Sequence, residues 1–258
     1  MKFRPCIDIH NGKVKQIVGG SLQDNSLTTQ ENFVSNQGAV FYANLYRKLH
    51  IKGGHIILLN PSHSPYYKEN VRQTIEALRS YPGGLQVGGG INLKNASRFL
   101  DAGASHVIVT SYVFREGQVD YNRLREMSKV VGKKRLVLDL SCRKRENEYY
   151  IVTDRWQKFT NEKLTIELLD RLSEFCDEYL IHAVDVEGKA SGIEEPLVSL
   201  LGSWSNLPVT YAGGVGSYAD LETLKKLGNN QVDVTVGSAL DLFGGPLSFK
   251  RVLDIIDK

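Results

Sequence analysis

Residues 85–115 read LQVGGGINLKNASRFLDAGASHVIVTSYVFR, and residues 209–243 read VTYAGGVGSYADLETLKKLGNNQVDVTVGSALDLF. The two stretches share one order. A short apolar strand runs into glycines, Gly88, Gly89 and Gly90 in the first copy and Gly213 and Gly214 in the second. Helical spacing follows, with Leu93, Ala96 and Leu100 answered by Leu221, Leu224 and Leu227, and each helix ends near a glycine, Gly103 or Gly228. A second strand then stops at a small hydroxyl residue, Ser111 or Ser238. Strand, loop, helix, strand and loop are written twice, which is the grammar of a parallel α/β sheet.

The physical content of this unit is a grip for phosphate. Glycines just past a strand let the backbone approach an anion closely, and the N–H groups there and at the following helix point at it. On this reading Gly89 and Gly90 with Thr110 and Ser111 form one site, and Gly213 and Gly214 with Gly237 and Ser238 form the other. A single copy reads equally well as a turn; glycines, helix and terminal hydroxyl repeated together point to two phosphate sites. The expected ligand is a small molecule carrying a phosphate at each end.

Working outward, the first strand covers residues 4–9 and ends with Asp8 before the turn His10-Asn11-Gly12. Residues 15–38 have little periodicity and read as a long loop over the same end. Residues 40–51 place Phe41, Leu45 and Leu49 on one helical stripe, and residues 55–59 form a buried second strand. Asn70 is positioned to cap a helix through Tyr81 with Val71, Ile75 and Leu78 inward. A fourth helix covers 121–131 and a fifth strand 135–140, again with an aspartate, Asp139, near its end. Residues 141–160 break the rhythm as a charged turn, a hairpin arm at 149–152 and Trp156. The alternation resumes with a helix at 164–175 and a sixth strand at 178–186 that carries Asp185 and is followed by Glu187. Glu194-Glu195-Pro196 opens the next helix, and residues 247–256 form the last.

Eight strands alternate with eight helices, and no linker separates them. The fold class is therefore α/β, a single (β/α)8 TIM barrel over residues 1–258. Asp8 and Asp139, Gly89 and Gly213, and Ser111 and Ser238 each lie about half the chain apart. That spacing makes the barrel a twofold repeat of half-barrels, about 1–131 and 132–258. An open doubly wound sheet is the competing architecture; phosphate grips after the third and fourth strands and after the seventh and eighth favour a closed ring.

Composition narrows the function. A net charge of +3, with the densest basic cluster, Arg143-Lys144-Arg145, followed at once by Glu146 and Glu148, carries no nucleic-acid or membrane footprint. No apolar run has the length of a signal peptide or membrane span, and three cysteines without metal spacing indicate a reducing compartment, so the cytoplasm is expected.

In an eight-strand ring Asp8 and Asp139 face each other across the mouth. A carboxyl group at the end of an apolar strand is costly to bury unless it is paired or used, and the structural alternative for Asp8 is a bond to a neighbour such as Lys13. Two opposed carboxyl groups with no metal cluster suit proton transfer, one abstracting a proton while an acid donates elsewhere on the substrate. An ordinary aspartate titrates near 3.9, so whichever group is the acid must be raised by burial or by a negative neighbour.

With CIDIHNGKVKQIVGG, LQVGGGIN, VLDLSCRK, DRWQ, IHAVDVEGKASG, YAGGVG and VTVGSAL in view, the chain resembles the phosphoribosylformimino-5-aminoimidazole carboxamide ribotide isomerases of histidine biosynthesis, most closely the eukaryotic, fungal form. The resemblance covers nearly the whole chain. It implies an intramolecular aldose–ketose isomerase performing an Amadori rearrangement of a bisphosphate aminoaldose, with no metal and no cofactor. It matches Asp8 to the general base and Asp139 to the proton donor. The acid of the sixth-strand Asp-Gly-Thr motif falls on Glu187, with Lys189 replacing the threonine, which leaves the general acid open among Glu187, Asp185 and Asp139. Arg143 and Trp156 match positions that close over the imidazole carboxamide, although Trp156 also reads as a loop anchor. His182 stands where relatives have a hydroxyl residue and is expected to touch substrate, whereas Asn60 replaces an aspartate of bacterial relatives and receives no role. His10, His55 and His106 read as strand-end or turn residues, and His50 and His63 receive no role.

Two alternatives share the scaffold. The cyclase subunit of imidazole glycerol phosphate synthase has the same aspartates and phosphate grips, but carries a lysine where this chain has Gln16. A non-catalytic sugar-phosphate sensor would not need both aspartates. A monomer is expected.

Overall fold

Buried on both faces, the strands of a closed parallel sheet must be apolar nearly throughout, and here they are short. The computed structural model describes residues 1–17 and 31–257. Among these, eight strands run in parallel: β1 Cys6–His10, β2 Gly54–Leu58, β3 Leu85–Gly88, β4 Val107–Val109, β5 Leu136–Asp139, β6 Glu178–His182, β7 Val209–Ala212 and β8 Val232–Thr235. Each pairs with the next in sequence from β1 to β8. The seam between β8 and β1 closes just ahead of β1. Phe3 bridges Val234 in parallel, Arg4 N–H donates to Val234 C=O at 2.8 Å, and Val234 N–H donates to Lys2 C=O at 2.9 Å. The chain is a (β/α)8 barrel.

Inward alternation fills the ring. Ile57, Ile108, Val137, Leu180 and Ala212 pack as a small cluster inside it, separate from the larger core between sheet and helices. Toward the amino ends of the strands the interior turns polar. Gln86 Nε2 donates to Glu178 Oε2 at 2.7 Å, and the Arg4 guanidinium meets Asp233 at 2.7 Å, both side chains less than a tenth exposed. His106, at that same end, bonds Ser105 and Asp177 at the start of its strand, away from the mouth.

Around the ring lie α1 Ala39–Lys48, α2 Tyr67–Ser80, α3 Ala96–Asp101, α4 Tyr121–Val131, α5 Ile166–Ser173, α6 Glu195–Gly202, α7 Tyr218–Leu227 and α8 Phe249–Ile256. Their starts follow local chemistry. Asp120 accepts from two N–H groups of α4, Thr165 caps α5, Pro196 lies in the first turn of α6, and Ser217 with Asp220 forms a capping box on α7.

Four expectations need correction. The buried face of α1 is Ala39, Tyr42, Ala43 and Tyr46, while Phe41 and Leu49 are 48% and 43% exposed. Asn70 does not cap α2; it lies inside the helix, fully buried, and its amide ties Asn60 Oδ1 to the turn after β1 by donating at 2.7 Å and accepting from Gly12 N–H at 2.9 Å. The stretch 15–38 is not all loop. Lys13–Ile17 pairs antiparallel with β1, and Glu31–Val34 pairs with it in turn; residues 18–30 lie outside the described residues, and so does most of the loop expected there. After β5, a single hairpin arm was expected, but three antiparallel strands form, Cys142–Arg145, Glu148–Thr153 and Lys158–Lys163.

The ring's seam offers a test. Replacing Asp233 by alanine leaves the buried Arg4 guanidinium and the Lys2 N–H without their carboxylate, a change expected to cost about 3–5 kcal/mol. Urea unfolding followed by far-UV circular dichroism measures it; a loss under about 1 kcal/mol would contradict a seam held by this pair.

Candidate active site

Strand ends and the loops after them surround one cavity of about 570 Å³. Because the strands are parallel, all their carboxyl ends face it together. It is lined by Asp8 of β1, His55 of β2, Gly89 and Gly90 after β3, Thr110 and Ser111 after β4, and Asp139 of β5. His182 of β6, Glu187, Gly213 and Gly214 after β7, and Gly237 and Ser238 after β8 complete the circuit, with Trp156 and Arg155 reaching in from the three-stranded sheet. Of the candidate site residues read from the sequence, Arg143 and Asp185 lie off this wall. Arg143 Nε donates to Asp185 Oδ1 at 2.8 Å, and Lys144 N–H takes the other oxygen of the same carboxylate. Opposite charges on adjacent loops found each other, which removes both Arg143 and Asp185 from the lining; Arg155 is the arginine present there.

The two glycine cups sit on opposite sides of the ring, after β3 and β4 and after β7 and β8. Gly89 has φ +94°, and a Cβ on it would lie 2.1 Å from the carbonyl oxygen of Leu58, so only glycine fits. Gly214 has φ +75°, with Gly192 oxygen 2.0 Å from where its Cβ would be. In each half a 3-10 turn follows the second strand, Ser111–Val113 and Asp241–Phe243. The glycines of the cups stand apart from the α-helices that follow, as α3 begins only at Ala96 and α7 at Tyr218. Ser111 also has an unexpected partner: its Oγ accepts from Asp154 N–H at 3.0 Å.

The ionisable groups divide into two sets. Burial raises Asp8 to about 7, with a further push from the Glu187 charge and an opposing one from His182. Burial likewise raises Glu187, whose Oε2 is buried without a hydrogen-bond partner among the described residues. Asp139 goes the other way. Burial would raise it, but the His182 charge and contact, together with Ser141, hold it below the usual carboxylate range. Its Oδ1 accepts from Ser141 N–H at 2.9 Å and Ser141 O–H at 2.7 Å and lies 3.3 Å from His182 Nδ1. His182 is lifted to about 9: burial lowers it, but Asp139, Glu187 and Asp8 outweigh that. His55 is pushed down to about 3 by burial and by the His182 charge.

Trp156 is both anchor and wall. Its Nε1–H donates to Ser141 Oγ at 2.9 Å and its ring centroid lies 5.7 Å from that of His182. Asp154, Arg155 and Trp156 all adopt left-handed backbone, φ +52°, +56° and +68°. Sequence reasoning missed His55, read as a strand-end residue. No sequence signal marks it: His55 stands opposite Cys6, two residues before Asp8, in a register that only the fold displays. Asn60 bonds Asn11 in both directions and fixes the turn after β1. Gln16 is turned toward Cys6 Sγ and Gly237 and does not line the cavity.

Residues 2–245 match the family described as "Histidine biosynthesis protein". A Medicago truncatula protein named 1-(5-phosphoribosyl)-5-((5-phosphoribosylamino)methylideneamino) imidazole-4-carboxamide isomerase, chloroplastic, is 55% identical over 98% of this chain and 81% of its own length. Isomerases of the same name from Yarrowia lipolytica and Saccharomyces cerevisiae are 45% and 43% identical, each over 95% of this chain and 93% and 94% of their own.

Ser141 carries the wall opposite Asp8. Ser141→Ala leaves the Trp156 indole N–H without its acceptor and removes a donor from Asp139, at an expected cost of about 1–3 kcal/mol in unfolding free energy. Tryptophan emission during urea titration reads it, and an unchanged midpoint would argue against both bonds.

Proposed function

Because the chain belongs to the histidine biosynthesis protein family, we propose that it catalyses the Amadori rearrangement of the aminoaldose phosphoribosylformimino-aminoimidazole carboxamide ribonucleotide to its aminoketose, in histidine biosynthesis. The observation that carries the reading is one cavity with a glycine cup on each of two opposite sides and Asp8 facing Asp139 between them. A bisphosphate spans the cups; its sugar is left between the proton-transfer groups.

Asp8 is the general base that takes the C2 proton of the opened ribose. A base works deprotonated and best with a pKa near the operating pH, which burial supplies here. The opposite wall, Asp139 with His182, supplies the proton that opens the sugar ring. Glu187 stands beside Gly213, where a Cβ would come within 3.3 Å of its Oε2, and its charge keeps Asp8 raised. Gly89 and Gly90 with Thr110 and Ser111 hold one phosphate, and Gly213, Gly214, Gly237 and Ser238 hold the other. Trp156 covers the imidazole carboxamide. The cyclase alternative loses support because Gln16, at the position of that enzyme's lysine, is off the cavity wall.

The same proposal takes residues 1–258 as one domain of two half-barrels, about 1–131 and 132–258, acting as a monomer in the cytoplasm. Among the described residues no helix is long and apolar enough to cross a membrane, and the three thiols are buried and unbridged. Among the described residues the exposed large apolar side chains are Phe41 and Leu49 on α1 together with Val34, Tyr66, Val130 and Phe159 on other segments. Sedimentation at a mass other than 28.8 kDa would replace the monomer.

Purified protein incubated with the aminoaldose, with product followed by absorbance and mass, tests the activity. Asp8→Asn keeps the shape and loses the basicity, so turnover is expected to fall by about 1000-fold or more while substrate binding changes little; full turnover would reject Asp8 as base. Activity is expected to decline as pH drops through about 7, the pKa of Asp8. Glu187→Gln removes a charge that raises Asp8, so that acid limb should move to lower pH; an unmoved limb would break the link between the two carboxyls.

A further inference from the structure

A ring-opening step needs a proton donor, and Asp139 is poorly built for it. Trp156 Nε1–H occupies Ser141 Oγ as an acceptor, which turns the Ser141 hydroxyl proton toward Asp139 Oδ1. That oxygen already takes Ser141 N–H and faces the His182 ring. An oxygen surrounded by three donors belongs to a carboxylate, and protonating it would forfeit those bonds. The neighbouring imidazole has the opposite character. Nδ1 of His182 faces Asp139, while no hydrogen bond engages its Nε2 among the described residues, and the side chain lines the cavity. Trp156 flanks the ring and His55 meets it edge-on at 6.1 Å.

We infer that His182 is the general acid of this barrel, donating from Nε2 to the ring oxygen of the amino sugar, and that Asp139 is the carboxylate that orients and charges it. The inference rests on the rearrangement proposed above. As the Nε2 proton passes to the ring oxygen, the C1–O bond breaks with its electron pair going to that oxygen, and the amine lone pair closes C1=N. Asp8 then removes the C2 proton, and the C–H electrons form C1=C2 as the C=N pair returns to nitrogen. The enol O–H proton goes back to neutral His182 as C2=O forms, and Asp8 delivers its proton to C1. Substrate and product are isomers and both residues end as they began.

The groups facing His182 are Asp139 on β5, Glu187 after β6, Asp8 on β1 and His55 on β2. Burial lowers the imidazole and the three carboxyls together raise it to about 9, while His55 stays neutral. The acid form therefore persists through neutral pH, and activity is lost as pH rises through about 9.

Two experiments test the assignment, one on a variant and one on the unmutated protein. His182→Gln is expected to lower kcat by about 100-fold or more, to leave KM and the affinity for inorganic phosphate within a few-fold, and to abolish the alkaline limb of the kcat profile. In the unmutated protein, Trp156 emission is quenched by an adjacent imidazolium and should rise as pH passes through about 9, with Trp156→Phe separating this signal from Trp204. That measurement needs no His182 variant to fold. A His182→Gln enzyme with near-normal kcat or an intact alkaline limb would overturn the inference, as would Trp156 emission that shows no alkaline titration. If the unmutated protein instead fails to convert the aminoaldose at all, the rearrangement is wrong, and the emission titration still reports whether His182 is charged.

Discussion

Three carboxyl groups and two imidazoles share one partly enclosed space at the mouth of the barrel, and they cannot all be charged there. Water would stabilise each ion separately; inside the ring the groups must settle their charges among themselves. The settlement is asymmetric. On one wall Asp139 and His182 form a closed ion pair supported by Ser141 and Trp156. On the other, Asp8 and Glu187 are raised, mainly by burial. Strand closure and the inserted sheet hold those walls at fixed places, with the glycine cups on two sides of the same cavity.

The three-stranded sheet after β5 joins two parts of the site. Three consecutive left-handed residues, Asp154, Arg155 and Trp156, cost on the order of 1–3 kcal/mol each in an ordinary loop. Asp154 N–H on Ser111 and Trp156 Nε1–H on Ser141 offset part of that. One strained turn thereby ties the glycine cup after β3 and β4 to the wall of Asp139 and His182. On the proposed function, recognition at one end of the substrate and proton transfer in its middle share a backbone.

Much of this was readable in the chain because it is written in period and punctuation. The glycines after β3 and β7 and Pro196 in α6 each do locally what their chemistry demands. Failures came where burial depends on a distant partner. Phe41 looked like the core residue of α1, yet Tyr42 and Tyr46 are inside, because Ser35 and the Cys6 carbonyl satisfy their hydroxyls. Arg143 and Asp185 looked like site residues and neutralised each other outside it. His55 and His182 lie 127 residues apart in number (182 − 55) and meet only because the ring closes. The resemblance matches Asp139 to the proton donor, and its hydrogen bonds with Ser141 and the His182 contact are what no sequence displays.

The seam between β8 and β1 also imposes an order in time. Lys2 and Arg4 are made more than two hundred residues before Val234 and Asp233, which complete their hydrogen bonds and ion pair. Until then the leading edge of β1 toward β8 has open N–H and C=O groups, the kind of surface on which nascent chains pair wrongly with one another. The hairpin strand Lys13–Ile17 lies antiparallel against β1 after a turn of only two residues, so shelter for the newborn strand begins almost as soon as it is synthesised.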